Sequence, residues 1–175
     1  MKPIFKALLE PVATSSSELA AALGLPSQGA SKPRLVIGRR EWVSLTDLGV
    51  SSLNAKIDSG ARSSSIHAEN LALSADEKQV HFTTTNHFGH IVYCHAAVVR
   101  VGHVRSSTGI ARKRIFIHTT AMVAGGFRWT ILVSLANRTE MHCPMLLGRR
   151  ALAGFFLIDP QANHLLGTRR SLENL

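Results

Sequence analysis

Short apolar runs separated by turn residues are the feature of this sequence that most limits its fold. From Leu35 onward, runs rich in Val, Ile, Thr and Phe alternate with Gly, Asn, Asp and Ser, a spacing typical of an all-β domain. We predict a closed barrel or sandwich with a single short helix that begins near Arg149 and ends at Gly154. The predicted strands cover residues 34–37, 41–45, 53–57, 80–84, 91–101, 114–120, 127–135 and 155–158.

The first 33 residues differ from the rest of the chain. They contain several prolines and a serine triplet, and they end in a linker-like segment, residues 29–33. Ser15 and Glu18 have capping-box spacing, and Gly24 is placed to end a short helix. We therefore predict an N-terminal arm over residues 1–33, one domain over 34–167 and a C-terminal tail over 168–175, since 175 residues suffice for one domain with an extension.

The charge and the cysteine count limit the partners and the compartment. Twenty Lys and Arg against 11 Asp and Glu give a formal charge of +9, which would attract acidic polypeptides or nucleic acid, or simply keep the surface solvated. Two cysteines cannot build a disulfide framework. No apolar run reaches the length of a signal-peptide core or a transmembrane helix, so we expect a soluble, cytoplasmic protein with no membrane association.

A strand that runs into Asp58-Ser59-Gly60 is the first segment that suggests chemistry. The pattern predicts a carboxylate exposed at a strand end, where Gly60 allows close backbone approach and the Ser59 hydroxyl bonds locally. Asp-Ser-Gly also occurs in ordinary Asx turns, so this segment alone leaves a structural role and a catalytic role open.

A second segment, Pro144-Met145-Leu146-Leu147-Gly148-Arg149, combines with the first. A strand that ends in Asp-Ser-Gly-Ala, followed later by a hydrophobic-hydrophobic-Gly strand leading into a helix, resembles the retropepsins. In that fold the second element packs behind the catalytic loop. More specifically, the chain resembles the bacterial RimB-like family, formerly labelled ATP-dependent zinc proteases, in residues 37–45, 55–68, 104–109 and 137–149. Ser59 stands where threonine is more usual in that family, and residues 1–33 have no recognised counterpart.

This resemblance implies a closed retropepsin-like barrel and aspartic endopeptidase activity with Asp58 as the catalytic residue. Two carboxylates must share a proton for this chemistry. Among the four aspartates of the chain, Asp47, Asp58, Asp76 and Asp159, only Asp58 is followed by Ser-Gly. A two-fold homodimer would bring Asp58 to its symmetry mate, so we predict that the site lies at the dimer interface.

The remaining predicted site residues support this pair. Ser59, Gly60 and Ala61 would form the catalytic loop, with Ser59 bracing the two loops across the axis, while Leu146, Leu147 and Gly148 would pack behind it. A flap over the substrate is predicted in residues 103–113, which contain Gly109, or alternatively in residues 123–128. The residues predicted to contact substrate or to belong to the flap are Arg62, Arg105, Ser107 and Gly109.

Two alternative functions remain open. Nine histidines and two cysteines invite a zinc-dependent peptidase, but their spacing matches no metal motif, and we expect neither metal nor cofactor. The other is a non-catalytic retropepsin-like module that docks on ribosomes or acidic proteins. For a catalytic protein, the resemblance implies a functional link to RimK-type glutamate ligases and an acidic substrate such as glutamate-extended ribosomal protein bS6, whose carboxylates Arg62 or Arg105 would pair.

Overall fold

Eleven strands and two short helices are found in the computed structural model, which describes residues 34–105 and 111–173. The predicted arm, residues 1–33, lies outside the described residues. In chain order the elements are β1 Leu35–Ile37, β2 Arg40–Leu45, a 3-10 turn Thr46–Leu48, β3 Val50–Asp58, β4 Ser64–His67, β5 Glu69–Leu73, β6 Gln79–Thr85, β7 Ile91–Arg105, β8 Ala111–Val123, β9 Arg128–Ala136, β10 Met145–Gly148, α1 Arg149–Leu152, β11 Phe156–Ile158 and α2 Arg170–Glu173.

Six of these strands close a barrel in the order β2, β3, β10, β4, β9 and β8. The barrel closes because β8 also pairs with β2, with Val43 opposite Val123 and Leu45 opposite Ala121. The sheet continues outward from β8 through β7, β6 and β5, while β1 and β11 form a separate parallel pair. The predicted all-β closed barrel is therefore confirmed.

The barrel interior follows the two-residue period of its strands. On β9, Trp129, Ile131, Val133 and Leu135 point inward and are nearly fully buried, while the positions between them near the start of the strand are more exposed. Each side chain of this size contributes about 1.5–3 kcal/mol when it is fully buried. The Trp129 indole N–H is also satisfied, because it donates to the carbonyl of Ala151 in α1 at 2.9 Å. The core thereby holds the helix that follows β10.

Three details of the predicted secondary structure were wrong. The strands β4 and β5 were not predicted, because Ser64-Ser65-Ile66-His67 is largely polar and β5 is mostly exposed. The single predicted helix ends at Leu152 rather than near Gly154. A second helix, α2, lies within the predicted tail, where Leu172 is buried against Met122 and Ala124. None of the described helices is long and apolar enough to cross a membrane.

The buried carboxylate of Glu41, in β2, accepts hydrogen bonds from the segment after β11 and so holds the two together. Glu41 is only 1% exposed, and its Oε1 accepts hydrogen bonds from the backbone N–H groups of Gly38 at 2.7 Å and Leu165 at 3.0 Å. A third N–H, of Leu166, donates to Oε2 at 3.4 Å. Gly38 is needed there, because an added Cβ would lie 2.6 Å from the carbonyl oxygen of Ala162. This contact gives a structural role to residues 37–45, the first stretch of the family resemblance.

Candidate active site

Asp58 is the last residue of β3, and its position follows from the barrel. β3 runs parallel to β10, and the register places Gly148 opposite Asp58 and Leu147 opposite Ile57. Ile57 points into the core, so Asp58, the next residue, points to the other face of the sheet. The carboxylate therefore lies on the barrel surface at the end of β3, the kind of position that the sequence pattern predicted.

The loop after β3 holds this carboxylate through two backbone N–H groups. Oδ1 of Asp58 accepts hydrogen bonds from Gly60 at 3.2 Å and Ala61 at 3.1 Å. Gly60 does not have a positive φ, so the turn uses its small size rather than a left-handed backbone. A Cβ at Gly60 would stand 3.3 Å from Oδ1, which is tighter than ordinary contact. The predicted close approach of backbone to carboxylate is thus what Gly60 provides.

Lys56 forms an ion pair with the other carboxylate oxygen of Asp58. Its Nζ lies 3.0 Å from Oδ2 of Asp58, and the two side chains are 57% and 23% exposed. The residues are neighbours on one face of β3, because they are two positions apart on a strand. Lys56 was not among the predicted site residues, although a lysine two positions before a candidate catalytic aspartate on a strand was a sufficient signal.

These contacts set the ionisation of Asp58. Partial burial acts to raise its pKa, but hydrogen bonds from Lys56 and from the N–H groups of Ala61 and Gly60, together with the Lys56 charge, outweigh burial. The pKa of Asp58 therefore lies below its ordinary value of 3.8, and the single chain holds the carboxylate ionised at neutral pH.

β10 and α1 pass directly behind the Asp58 loop. A Cβ at Gly148 would lie 2.5 Å from the carbonyl carbon of Ser63, so only glycine fits at this crossing. The Gly148 N–H donates to Oγ of Ser64 at 3.1 Å, and the first two N–H groups of α1 donate to the carbonyls of Ala61 at 2.8 Å and Arg62 at 3.2 Å. Leu147 is buried in the core and Leu146 is half-buried opposite Lys56. Gly148 thus crosses directly behind the loop at Ser63, while Leu146 and Leu147 precede it on β10.

Basic side chains surround the loop. Nη1 of Arg149 donates to the carbonyl of Ser59 at 3.1 Å, which links α1 to the loop. Arg138 follows β9, and its Nε and Nη2 both donate to the carbonyl of Cys143 at 3.3 Å. Burial lowers the pKa of Arg138, whereas interactions with Cys143 and with the charge of Asp58 act to raise it. The charge of Asp58 thus influences the pKa of Arg138, which was not among the predicted site residues.

The structure describes only some of the residues that were predicted to form the flap or to contact substrate. Ser107 and Gly109 lie outside the described residues, while the backbone of Arg105 pairs with Ala111 at the end of the long β7–β8 hairpin. Arg62 is exposed beside the loop, and Ser59 is exposed as well.

The alternative flap, residues 123–128, is a turn with positive φ at Gly125 and Gly126. Phe127 of this turn packs against Phe155 and Phe156. This packing ties the turn to the segment after α1, whereas a flap has to move.

A pocket within the described residues lies away from the Asp58 loop. It has a volume of about 360 Å³ and lies over β5, β6 and β7, and none of its lining residues contacts Asp58. Within residues 34–105 and 111–173, no three His, Cys, Asp or Glu side chains lie close enough together to hold a metal ion.

Known proteins are similar in sequence to most of this chain. The chain is 36% identical over 148 residues to a probable alpha-L-glutamate ligase of Shewanella pealeana, in a match that covers 82% of this chain and 32% of that protein. A protein of the same name from Parasynechococcus marenigrum is 36% identical over 143 residues, covering 78% of this chain and 30% of the relative. The chain thus spans about a third of the length of the curated relatives it matches.

A crystal structure of Lpg0085, a protein of unknown function from Legionella pneumophila, superposes with a TM-score of 0.62 at 29% identity, covering 75% of this chain and 98% of that one. The family model that matches residues 36–168 is described as RimB-like, retropepsin-like aspartic endopeptidase RimB. Its matched range contains the barrel, the Asp58 loop and the Gly148 crossing. The chain therefore belongs to the RimB-like family of retropepsin-like aspartic endopeptidases.

Proposed function

We propose that the protein is an aspartic endopeptidase that acts as a homodimer, in which each subunit contributes Asp58. The observation that carries the proposal is the support around this carboxylate: Oδ1 is held by the N–H groups of Gly60 and Ala61, and Gly148 and α1 pack behind the loop. A loop that only turned the chain would need neither the glycine crossing nor the hydrogen bonds from α1. Membership of the retropepsin-like family gives this arrangement its chemical interpretation.

A second copy is required because one chain supplies one carboxylate. Among the described residues, the polar partners of the Asp58 side chain are Lys56, Gly60 and Ala61, and no other Asp or Glu contacts it. Asp47 and Asp159 instead bind the N–H groups of Thr120 and Gln161. A two-fold axis beside the Asp58 loop would supply the missing carboxylate and would form the substrate cleft between the two copies.

The reaction would be hydrolysis by a carboxylate pair that shares one proton. The ionised Asp58 takes a proton from water as the water oxygen bonds to the peptide carbonyl carbon, and the protonated Asp58 donates to the carbonyl oxygen. The ionised Asp58 then takes a hydroxyl proton from the tetrahedral intermediate, the other Asp58 gives the proton it took from water to the nitrogen, and the C–N bond breaks. The products are a new carboxyl group and a new amine, and the pair again holds one proton.

The charge around the site favours an acidic substrate. Lys56, Arg138 and Arg149 lie at or near the loop, and the whole chain carries +9. Cationic surroundings concentrate and orient anionic peptides. The curated relatives are named probable alpha-L-glutamate ligases, so the substrate class we infer is a glutamate-rich peptide, such as ribosomal protein bS6 extended by a RimK-type ligase.

The test is hydrolysis of a mixed peptide library that includes glutamate-extended peptides, across acid to neutral pH, with and without a strong chelator. Wild type should cleave with or without chelator, whereas Asp58→Asn should not cleave, and sedimentation analysis should find a dimer in both. Loss of activity with chelator would instead favour the zinc alternative. Cleavage of other peptides but not of glutamate-extended ones would refute the acidic substrate.

One observation favours the second candidate, a non-catalytic module that binds ribosomes or acidic proteins. The Lys56 ion pair lowers the pKa of Asp58 and so favours its ionised form, whereas one member of a proton-sharing pair has to be protonated. Binding of an acidic peptide by wild type and Asp58→Asn alike, with no cleavage by either, would establish this alternative.

A further inference from the structure

Lys56 is the charged group closest to the proposed catalytic carboxylate. Its Nζ lies 3.0 Å from Oδ2 of Asp58 on the same face of β3, and its side chain is 57% exposed. An exposed lysine has a flexible stem and three rotatable donors, so it can change partners at little cost. The ion pair is therefore a contact that an arriving anion can open.

In the proposed dimer this ion pair would oppose catalysis. Two nearby carboxylates share a proton only because their mutual repulsion raises the pKa of one of them. Each Asp58 would bring its own Lys56, and two ammonium groups would cancel that repulsion and leave both carboxylates ionised. The acid that must donate to the peptide carbonyl would then be absent, so Lys56 has to move away before hydrolysis.

The charged groups facing the Asp58 loop show what could draw Lys56 away. From β3 there is Lys56 itself, and from α1 there is Arg149 on the carbonyl of Ser59. Exposed Arg40 of β2 stands opposite Lys56 in the strand register, and exposed Arg62 follows the loop. The charge of Asp58 also acts on Arg138, after β9. The β10 residue opposite Lys56 is Leu146, which is apolar. The described surroundings of the loop thus provide cations but no second anion that contacts Lys56, and the anion has to come with the substrate.

We propose that Lys56 selects an acidic residue of the peptide substrate and that the substrate carboxylate, by taking Lys56 from Asp58, switches the carboxylate pair into its proton-sharing state. This inference rests on the proposed function and deepens it. Lys56 becomes both a specificity determinant and an autoinhibitory partner of Asp58. Peptides without an acidic side chain near the scissile bond leave the ion pair closed, so they are cleaved slowly even when they bind.

The experiment compares two peptides that differ only in Glu or Gln beside the scissile bond. Wild type should prefer the Glu peptide in kcat/KM by about 10-fold or more, the size expected for one charge-assisted hydrogen bond. In Lys56→Met the preference should disappear, through a higher KM for the Glu peptide and a higher kcat for the Gln peptide. Lys56→Arg should keep the preference. Lys78→Met, which removes an exposed lysine from a surface aspartate, is the matched control and should behave as wild type.

The pH profile gives a readout that a purely structural role for Lys56 would not move. With the Gln peptide, both limbs of the kcat/KM profile of Lys56→Met should lie at higher pH than those of wild type, because the cation that favours ionised Asp58 is gone. Unchanged limbs together with an unchanged Glu preference in Lys56→Met would overturn the proposal while leaving the peptidase function intact.

Binding to the inert protein separates the two proposals. In the Asp58→Asn background, fluorescence anisotropy should show tighter binding of the Glu peptide than of the Gln peptide, and adding Lys56→Met should abolish the difference. If no variant cleaves either peptide but this binding difference depends on Lys56, the peptidase function fails and the Lys56 contact stands. If the binding difference survives Lys56→Met, the role of Lys56 in selecting the substrate is refuted.

Discussion

Two aspartate turns in this molecule have nearly the same local chemistry. Asp58 accepts the N–H of the residue two positions later and pairs with Lys56, two positions earlier. Asp76 accepts the N–H of Lys78, two positions later, and the Lys78 ammonium lies 3.8 Å from its other oxygen. The pKa of each carboxyl group is lowered below 3.8. By local contacts alone, the two turns would be assigned the same role.

Their tertiary surroundings differ completely. Asp76 lies in the β5–β6 hairpin turn with its side chain 57% exposed, and its other partner is the hydroxyl of Ser74 at 2.6 Å. Asp58 is the last residue of a barrel strand, and its side chain is 23% exposed. Gly148 packs behind its loop, and backbone N–H groups of α1 donate to carbonyls of the loop. An Asx turn therefore becomes a candidate active site when a second strand packs against its backbone and holds it in place.

The largest effect should come from removing each carboxylate in turn. Asp58→Asn should reduce peptide hydrolysis by about 1,000-fold or more, because the general base and acid of the proposed pair are lost. Asp76→Asn should leave the rate unchanged, since that turn lies outside the proposed cleft. Steady-state kinetics on one peptide measures both, and equal losses in the two variants would contradict the assignment of Asp58.

The next effect concerns the strand crossing that distinguishes the two turns. Gly148→Ala should lower the free energy of unfolding by about 3 kcal/mol, because its Cβ would overlap backbone atoms that cannot rotate away. Gly89→Ala is the control: φ is +81 in the β6–β7 turn but the added Cβ meets nothing, so about 1 kcal/mol of strain is expected. Urea denaturation compares them, and a Gly148→Ala protein as stable as the control would disprove a tight crossing.

A smaller effect should appear in the titration of the two carboxyl groups. Lys56→Met should raise the pKa of Asp58, because both the hydrogen bond and the charge of Lys56 lower it. Lys78→Met should hardly change the pKa of Asp76, because the Ser74 hydroxyl and the backbone N–H of Lys78 are its main causes and both remain. Carboxyl NMR titration measures each value, and equal shifts would show that the two lysines act alike.

The lowered pKa of Asp58 also predicts how the stability of the fold changes at acid pH. A carboxyl group with a depressed pKa in the folded state stabilises the fold above its unfolded-state value and loses that contribution as pH falls through the folded-state value. Wild type should therefore lose the Asp58 contribution below pH 3.8, and Lys56→Met should lose less over the same range. Chemical denaturation at a series of pH values from 5 downward would measure the difference.

The smallest effect is expected for Lys78→Met at neutral pH. An exposed pair with 3.8 Å between its atoms contributes little, so the stability should stay close to that of wild type. A larger loss in urea denaturation would mean that the hairpin turn matters more to the fold than its exposure indicates.

Much of the fold was predictable because strand signals are local. The alternation on β9 and the Pro144 to Gly148 run were visible in the sequence, whereas β4 was not, since a short and largely polar strand carries no apolar period. The burial of Leu172 against Met122 was also beyond local pattern, because these residues are fifty positions apart. Of the candidate site, Asp58 was predicted and its lysine partner was not.

By itself the sequence determined the all-β class, the strand end at Asp58 and the family resemblance, because these depend on residue types within a few positions of one another. Only the tertiary structure decided that β10 runs parallel to β3 with Gly148 opposite Asp58, that the backbone of α1 donates to the loop, and that the Arg149 side chain donates to the carbonyl of Ser59. The physical reason is that such contacts join residues some eighty or ninety positions apart, and the closed barrel's register alone brings them together.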